Sequence, residues 1–288
     1  MSIGTYRPEP LLSEHFIFLS ASKPSRNLAN FPLASRSNRT SVEIEEAVVS
    51  LARAVFAHNG RLVFGGHPSI SPLVASVAAE YFPARHIPPG KEPVWIYQSE
   101  AFRKVIPPST QTLEELGYAR IHWIDKQGNE EFSAERAGTE QCLESLRRMR
   151  EDMIDLKPGK DQPVILPPQH PVAMVAIGGM EGVIREARLF IEKTQGQVYV
   201  LRTTAGAASG LAAHLQTNFV QEETPLNVRG WQNRVSALED MFPVPEREFH
   251  AEDVASLPLA PYAVLMQRMV FHIAGKEPTS RPRSSRRG

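Results

Sequence analysis

Along the chain, apolar residues alternate between unbroken runs and helical stripes. Val172 to Ile177 is a short apolar run without polar alternation, the pattern of a strand buried on both faces of a parallel sheet. Gly178 and Gly179 break it. The apolar residues then fall at Val183, Ile184, Ala187, Phe190 and Ile191, one helical stripe, so strand, glycine turn and helix follow in order. Arg61 to Phe64, Gly65-Gly66 and the stripe Leu73, Val74, Val77, Ala78, Tyr81 and Phe82 repeat the design, with Ser71 as expected N-cap and Pro72 at the first helical position.

The same periodicities organise the rest. His15 to Leu19 predicts a first strand that ends in Ser20-Ala21-Ser22. Thr40 and Glu43 form a capping box before a helix that buries Ile44, Val48, Leu51, Ala52 and Val55 and stops at Asn59-Gly60. Val94 to Tyr97 and Ile121 to Ile124 read as strands, with a short helix around Thr112 to Leu116 between them. Gly138 to Ile154 reads as a helix with Leu143, Leu146, Met149 and Met153 inward, and Gln197 to Arg202 as the final core strand, running into Thr203-Thr204-Ala205-Gly206 and a helix around Leu211 to Leu215. Strand and helix therefore alternate from 15 to 217, which implies an α/β fold: a doubly wound, mainly parallel, Rossmann-like sheet with ligands beyond the carboxyl ends of its strands.

Residues 1–14 are expected to be an irregular arm, and 218–275 a C-terminal helical extension of the same core, with helices at Trp231 to Met241 and Pro261 to Ile273. Tyr262, Leu265, Met269 and Ile273 form a stripe that serves the core or dimerisation. Residues 276–288, with Arg281, Arg283, Arg286 and Arg287, read as a basic disordered tail.

The strand ends carry the candidate chemistry. Without Cβ atoms the paired glycines admit a ligand to the main chain, and a helix start favours an anion such as phosphate. Glu186, in the second turn of its helix, leans back toward that turn and could accept hydrogen bonds from sugar hydroxyls. The candidate ligand-binding positions are Ser20 and Ser22; Gly65, Gly66, His67 and Ser69; Gly178, Gly179, Met180, Glu181 and Gly182; and Thr203 and Thr204. Glycines needed only for packing, with Glu186 a solvated flank residue, are the competing reading; the second copy of the design counts against it. A valine at Gly179 is accordingly expected to abolish binding and leave the fold intact. The stretch from Lys23 to Arg39, with Arg26 and Arg36, is either a lid whose cations face phosphate or a solvated loop.

Composition narrows the function classes. Thirty-two basic and 32 acidic residues cancel, so there is no overall field to attract nucleic acid or an acidic membrane. The single cysteine, Cys142, excludes a disulfide framework and any cysteine-rich zinc module, and suits a reducing cytoplasm. Met1 to Pro10 lacks a signal sequence, and no apolar run approaches the roughly 20 residues that span a bilayer. No strand is followed by the dinucleotide glycine fingerprint, a nucleoside-triphosphate loop or a nucleophile elbow, and the nine histidines do not pair at metal-ligand spacing, so neither cofactor nor metal is expected.

Phe64-Gly-Gly-His-Pro-Ser-Ile-Ser-Pro-Leu73, Met149-Arg-Glu-Asp-Met153 and Ile177-Gly-Gly-Met-Glu-Gly-Val-Ile-Arg-Glu186 together resemble the SLOG superfamily. That superfamily comprises Rossmann-like domains that include the lonely-guy phosphoribohydrolases and nucleotide-sensing modules associated with bacterial defence. The resemblance implies that Gly178 and Gly179 hold the phosphate or ribose of a nucleotide, with Arg150 and Glu186 lining the site and serving catalysis if the protein is an enzyme. Where the lonely-guy enzymes carry proline before the glycines and Gly-Thr after them, this chain has Ile177 and Met180-Glu181-Gly182, which looks more like the sensor branches. The expectation is a cytoplasmic protein that binds a nucleotide or an ADP-ribose-like signal, forming a homo-oligomer or addressing an effector protein; the alternative is a nucleotide N-glycosidase.

Overall fold

In the computed structural model, residues 10–13, 15–23, 37–82, 87–126, 140–159, 170–213, 231–243 and 261–276 are described. Side chains along β1 (Phe16–Ser22) part to two faces: Ile17 and Leu19 enter one apolar cluster, Phe16 and Phe18 another. β5 (Ala173–Gly178) divides the same way, with Val175 and Ile177 opposed to Met174 and Ala176. Strands buried on both faces explain the unbroken apolar runs. With β2 (Arg61–Phe64), β3 (Val94–Ser99), β4 (Ala119–Ile124), β6 (Gln197–Leu201) and β7 (Val235–Ala237) they form one parallel sheet, in the order β4-β3-β2-β1-β5-β6-β7.

The chain thus winds outward from β1 to β4 and then crosses back to start again on the far side of β1. α1 (Ser37–Ala57), α2 (Ser71–Tyr81) and α3 (Pro108–Glu115) pack on one face. α4 (Glu140–Ile154), α5 (Glu181–Lys193) and α6 (Gly206–Ala213) pack on the other. This is the expected doubly wound, Rossmann-like architecture. The short α7 (Leu238–Met241) follows β7, and α8 (Tyr262–Ile273) inserts Leu265, Met266, Met269 and Val270 into the α1 layer.

Several elements differ in detail from the sequence pattern. Gln197–Leu201 is not the last strand, because Trp231 to Met241 forms a 3-10 turn, β7 and α7 rather than one helix. A three-residue edge strand is too short to display a period. α1 starts at Ser37, which puts Thr40 inside the helix instead of at its cap. Ile70, not Ser71, occupies the cap of α2; Ser71 is the first helical residue, its hydroxyl donating to His67 O at 3.2 Å and accepting from Thr110 at 2.9 Å. Tyr81 and Leu143, expected inward, are exposed, while Cys142 of α4 is buried. Within the stretch 1–14, Leu12 is buried, and its N–H donates to His58 O at 3.0 Å. The tail from 277 lies outside the described residues.

Candidate functional site

β1 and β5 are neighbours whose following helices cover opposite faces, so the chain parts beyond their carboxyl ends, the place where ligands enter open α/β sheets. A cleft of about 470 Å³ opens there, walled by the ends of β1, β2 and β3, the connection after β3, and parts of α4 and α5.

The Gly178-Gly179 turn does not itself line this cleft, although Ser22 and Met180 beside it do. Both residues have left-handed backbone, φ +59° and +83°, and a Cβ on Gly179 would lie 2.2 Å from Val183 Cγ2. Their amides are already engaged: Gly178 N–H donates to Thr204 Oγ1 at 2.8 Å and Gly179 N–H to Ser22 O at 2.7 Å. Gly179 O accepts from Ala207 N–H at 3.0 Å. The expected free amides are therefore not on the paired glycines. The amides of Glu181 and Gly182, in the first turn of α5, are the ones without an intrahelical acceptor. It follows that Gly179→Val would disturb the fold itself, contrary to the expectation from the sequence.

Glu186 is held from two sides. Ser20 Oγ donates to its Oε2 at 2.5 Å, and Arg150 Nε donates to its Oε1 at 3.1 Å. The side chains of Arg150 and Glu186 are each 15% exposed, so the pair is screened from bulk water yet borders the cleft. Gly182 makes room for it: a Cβ there would come within 3.1 Å of Arg150 Nη2. Hydroxyl, carboxylate and guanidinium from β1, α5 and α4 thus converge beside the first turn of α5.

The second glycine turn is built differently. Gly66 has φ +65°, and a Cβ would lie 2.5 Å from Gln98 Nε2. At Gly65 a Cβ would meet only Met149 Cε, at an ordinary 3.7 Å, so packing does not require glycine there. Gln98 Nε2 donates to Gly65 O at 2.6 Å. His67 Nδ1 accepts from the Ser69 amide at 3.2 Å and from Ser69 Oγ at 2.8 Å, which leaves the ring proton on Nε2. Burial, and then the nearby Lys23 ammonium, hold the His67 pKa below its usual value and keep the ring neutral. Lys23 itself pairs with Glu45 of α1.

Of the candidate residues, Ser20, Ser22, Gly65, Gly66, His67, Arg150, Met180, Gly182 and Glu186 line the one cleft. The others serve it indirectly or stand apart. Ser69 fixes His67, and Thr204 ties Gly178 to Leu201 O. Thr203 bonds Glu239 and Tyr262, while Glu181 turns to solvent and pairs with Arg185. Arg26 and Arg36 lie outside the described residues. Sequence reasoning missed Gln98 and the apolar wall of Phe102, Ile106 and Pro107 after β3, facing Leu146 and Met149 of α4. No glycine turn marks that strand end; its only signal was position, just past a predicted strand. Among the described residues no group of three or more His, Cys, Asp or Glu could hold a metal, and no helix is long and apolar enough to cross a membrane.

No curated protein matches the chain. Among solved structures, it is similar to the X-ray structure of TM1055, a structural genomics target, at 12% identity over 77% of this chain and 90% of that one, with a TM-score of 0.42. The model of the SLOG cluster3 family matches residues 35–229, a span holding both glycine turns, Arg150 and Glu186, and the chain accordingly belongs to the SLOG cluster3 family.

Proposed function

We propose that the protein is a ligand sensor that binds a nucleotide or an ADP-ribose-like molecule in the cleft beside β1 and β5. The observation that carries this reading is the Glu186 carboxylate, fixed by Ser20 at 2.5 Å and by Arg150 at 3.1 Å on the cleft wall. A carboxylate so held accepts from the vicinal hydroxyls of a ribose, while the first-turn amides of α5 and the Arg150 guanidinium suit a phosphate. As a sensor it would pass the presence of ligand to a second copy or to an effector protein. The defence-signalling setting rests on the superfamily resemblance alone.

N-glycosidic hydrolysis is the alternative, and the same geometry weighs against it. Departure of the base leaves an oxocarbenium-like sugar, which a carboxylate stabilises best when its charge is not already matched. Here Arg150 matches it directly. The test is calorimetric titration of the purified protein with AMP, NAD and ADP-ribose, with chromatography of the same mixtures for free base and mass spectrometry of molecules that copurify. Binding without base release is expected. Base release at a rate that collapses in Glu186→Gln would replace the sensor by the hydrolase, and absence of both binding and release would remove both.

A further inference from the structure

The polar chemistry of the cleft is concentrated at one end, while the other end holds two uncharged, pre-oriented hydrogen-bonding groups that the proposed phosphate and ribose contacts leave unused. The first is His67, whose Nδ1 is occupied by the Ser69 amide and hydroxyl, so that its cleft-facing function is a neutral Nε2–H donor. The second is Gln98. Because its Nε2 donates to Gly65 O at 2.6 Å, the amide cannot be flipped, and the atom left to a ligand is the acceptor Oε1. Gln98 is locked by the main chain of the second glycine turn, and His67 by Ser69 just beyond it. Around them the wall is apolar: Phe102, Ile106 and Pro107 on one side, Met149 on the other.

We infer that this end is a subsite for the uncharged heterocycle of the ligand, with His67 Nε2–H and Gln98 Oε1 reading an acceptor and a donor on its edge. The inference rests on the nucleotide reading above and adds which end of the cleft takes which part. Sheet order supports the length. Gln98 lies at the end of β3, His67 follows β2, Ser20 and Ser22 end β1, and the Glu186 helix follows β5, so the groups lie along three inter-strand steps. At about 4.8 Å per step that is a span of about 14 Å, room for a base, a sugar and a phosphate in a row rather than for a sugar phosphate alone. A neutral His and an amide also suit a ring edge better than an anion, since neither offers a charge. Gly65, at which packing tolerates a side chain, lies between the two ends and leaves the main chain open to the ring or the sugar.

The experiment compares the wild-type full chain with His67→Phe, which keeps a ring but removes the N–H, and Gln98→Met, which keeps length but removes the amide carbonyl and its NH2. Each is titrated with AMP, GMP, CMP and UMP and with ribose 5-phosphate, and each is melted to check folding. The preferred nucleotide is expected to bind wild type at least tenfold tighter than ribose 5-phosphate. Each variant is expected to weaken that nucleotide about two- to tenfold, the range of one neutral hydrogen bond, and to change ribose 5-phosphate by less than twofold. If nucleotide and ribose 5-phosphate bind wild type alike, or if the folded variants weaken both equally, the subsite assignment is overturned while the nucleotide reading stands. If no nucleotide and no ribose 5-phosphate binds, both fall. Should Gln98→Met fail to fold, His67→Phe alone decides the matter.

Discussion

Replacing Glu186 with glutamine tests the centre of the site while preserving its shape. The carboxylate accepts two hydrogen bonds, from Ser20 at 2.5 Å and Arg150 at 3.1 Å, at a position only 15% exposed. Hydrogen bonds to a charged partner contribute about 1.5 to 3 kcal/mol and neutral ones roughly half as much, so the amide loses on the order of 1 kcal/mol per bond. Two bonds give about 2 kcal/mol in the ligand-free protein, which for a domain of this size lowers the melting temperature by about 4 to 8 °C. The ligand loses one such increment, because the amide still offers a carbonyl acceptor, and its dissociation constant should rise about fivefold. Scanning fluorimetry of both proteins and calorimetric titration with the preferred nucleotide measure the two quantities. An unchanged melting temperature together with unchanged affinity would refute the assignment of Glu186 as a held ligand acceptor. A turnover that falls on the order of a hundredfold, with affinity nearly intact, would instead mark a transition-state role.

The two glycine turns should respond in opposite ways. Gly179→Val forces a left-handed backbone and a contact 2.2 Å from Val183, so a melting curve should show a large destabilisation. At Gly65 a Cβ meets only Met149 at 3.7 Å, so Gly65→Ala should fold normally and weaken nucleotide binding in titration; retained affinity would take Gly65 out of the ligand path. His122 should contribute to acid sensitivity. It is buried, stacked on Tyr97 at 4.6 Å, and its Nδ1 accepts from Gly159 N–H at 3.1 Å. Burial, helped by Arg120, pushes its pKa from 6.5 down to about 3. The unfolded chain therefore binds a proton that the folded protein refuses between those values. Stability contributed by the neutral ring is complete above about pH 6.5 and declines by roughly 1.4 kcal/mol per pH unit as pH falls toward 3. Urea melts of wild type and His122→Phe across that window should show a shallower slope in the variant, and parallel slopes would contradict the burial argument.

The winding of the fold was legible because β1, β2, β5 and β6 are buried on both faces and so read as unbroken apolar runs between helical stripes. β7 was not, since Val235–Ala237 is too short to show a period and stands at the sheet edge. Cap positions slipped because Thr40 and Ser71 fit a helix's first turn chemically whether or not the helix starts there. At the site, Glu186 and Arg150 were named, but the ligand-facing role preferred for Gly178 and Gly179 is not the one their packing and engaged amides give them. A paired glycine looks the same in sequence whether it faces a ligand or, as at Gly178 and Gly179, must avoid Ile44 and Val183. Gln98 was invisible because a lone polar residue at the end of a strand carries no pattern until its amide is seen against Gly65 O.

The engagement of the Gly178-Gly179 amides divides the cleft into halves of unequal plasticity. The ends of β1 and β6 and the start of α6 are pinned to the β5 turn there: β1 through Ser22 O, β6 through Thr204 Oγ1, and α6 through Ala207 N–H. Removing the Thr204 hydroxyl, or shifting the main chain at Ser22 or Ala207, would strand a buried amide or carbonyl belonging to another segment, so this half can alter its ligand only at the risk of the fold. The opposite half is lined by side chains after β3, among them Phe102, Val105, Ile106 and Pro107, and its cross-links run through side chains, Gln98 to Gly65 O and Arg103 over the Trp123 ring. Related chains that recognise different molecules would therefore be expected to diverge at Val105, Ile106 and Pro107 while keeping the β5 turn, and laboratory redesign of specificity has its tolerant ground at the same three positions.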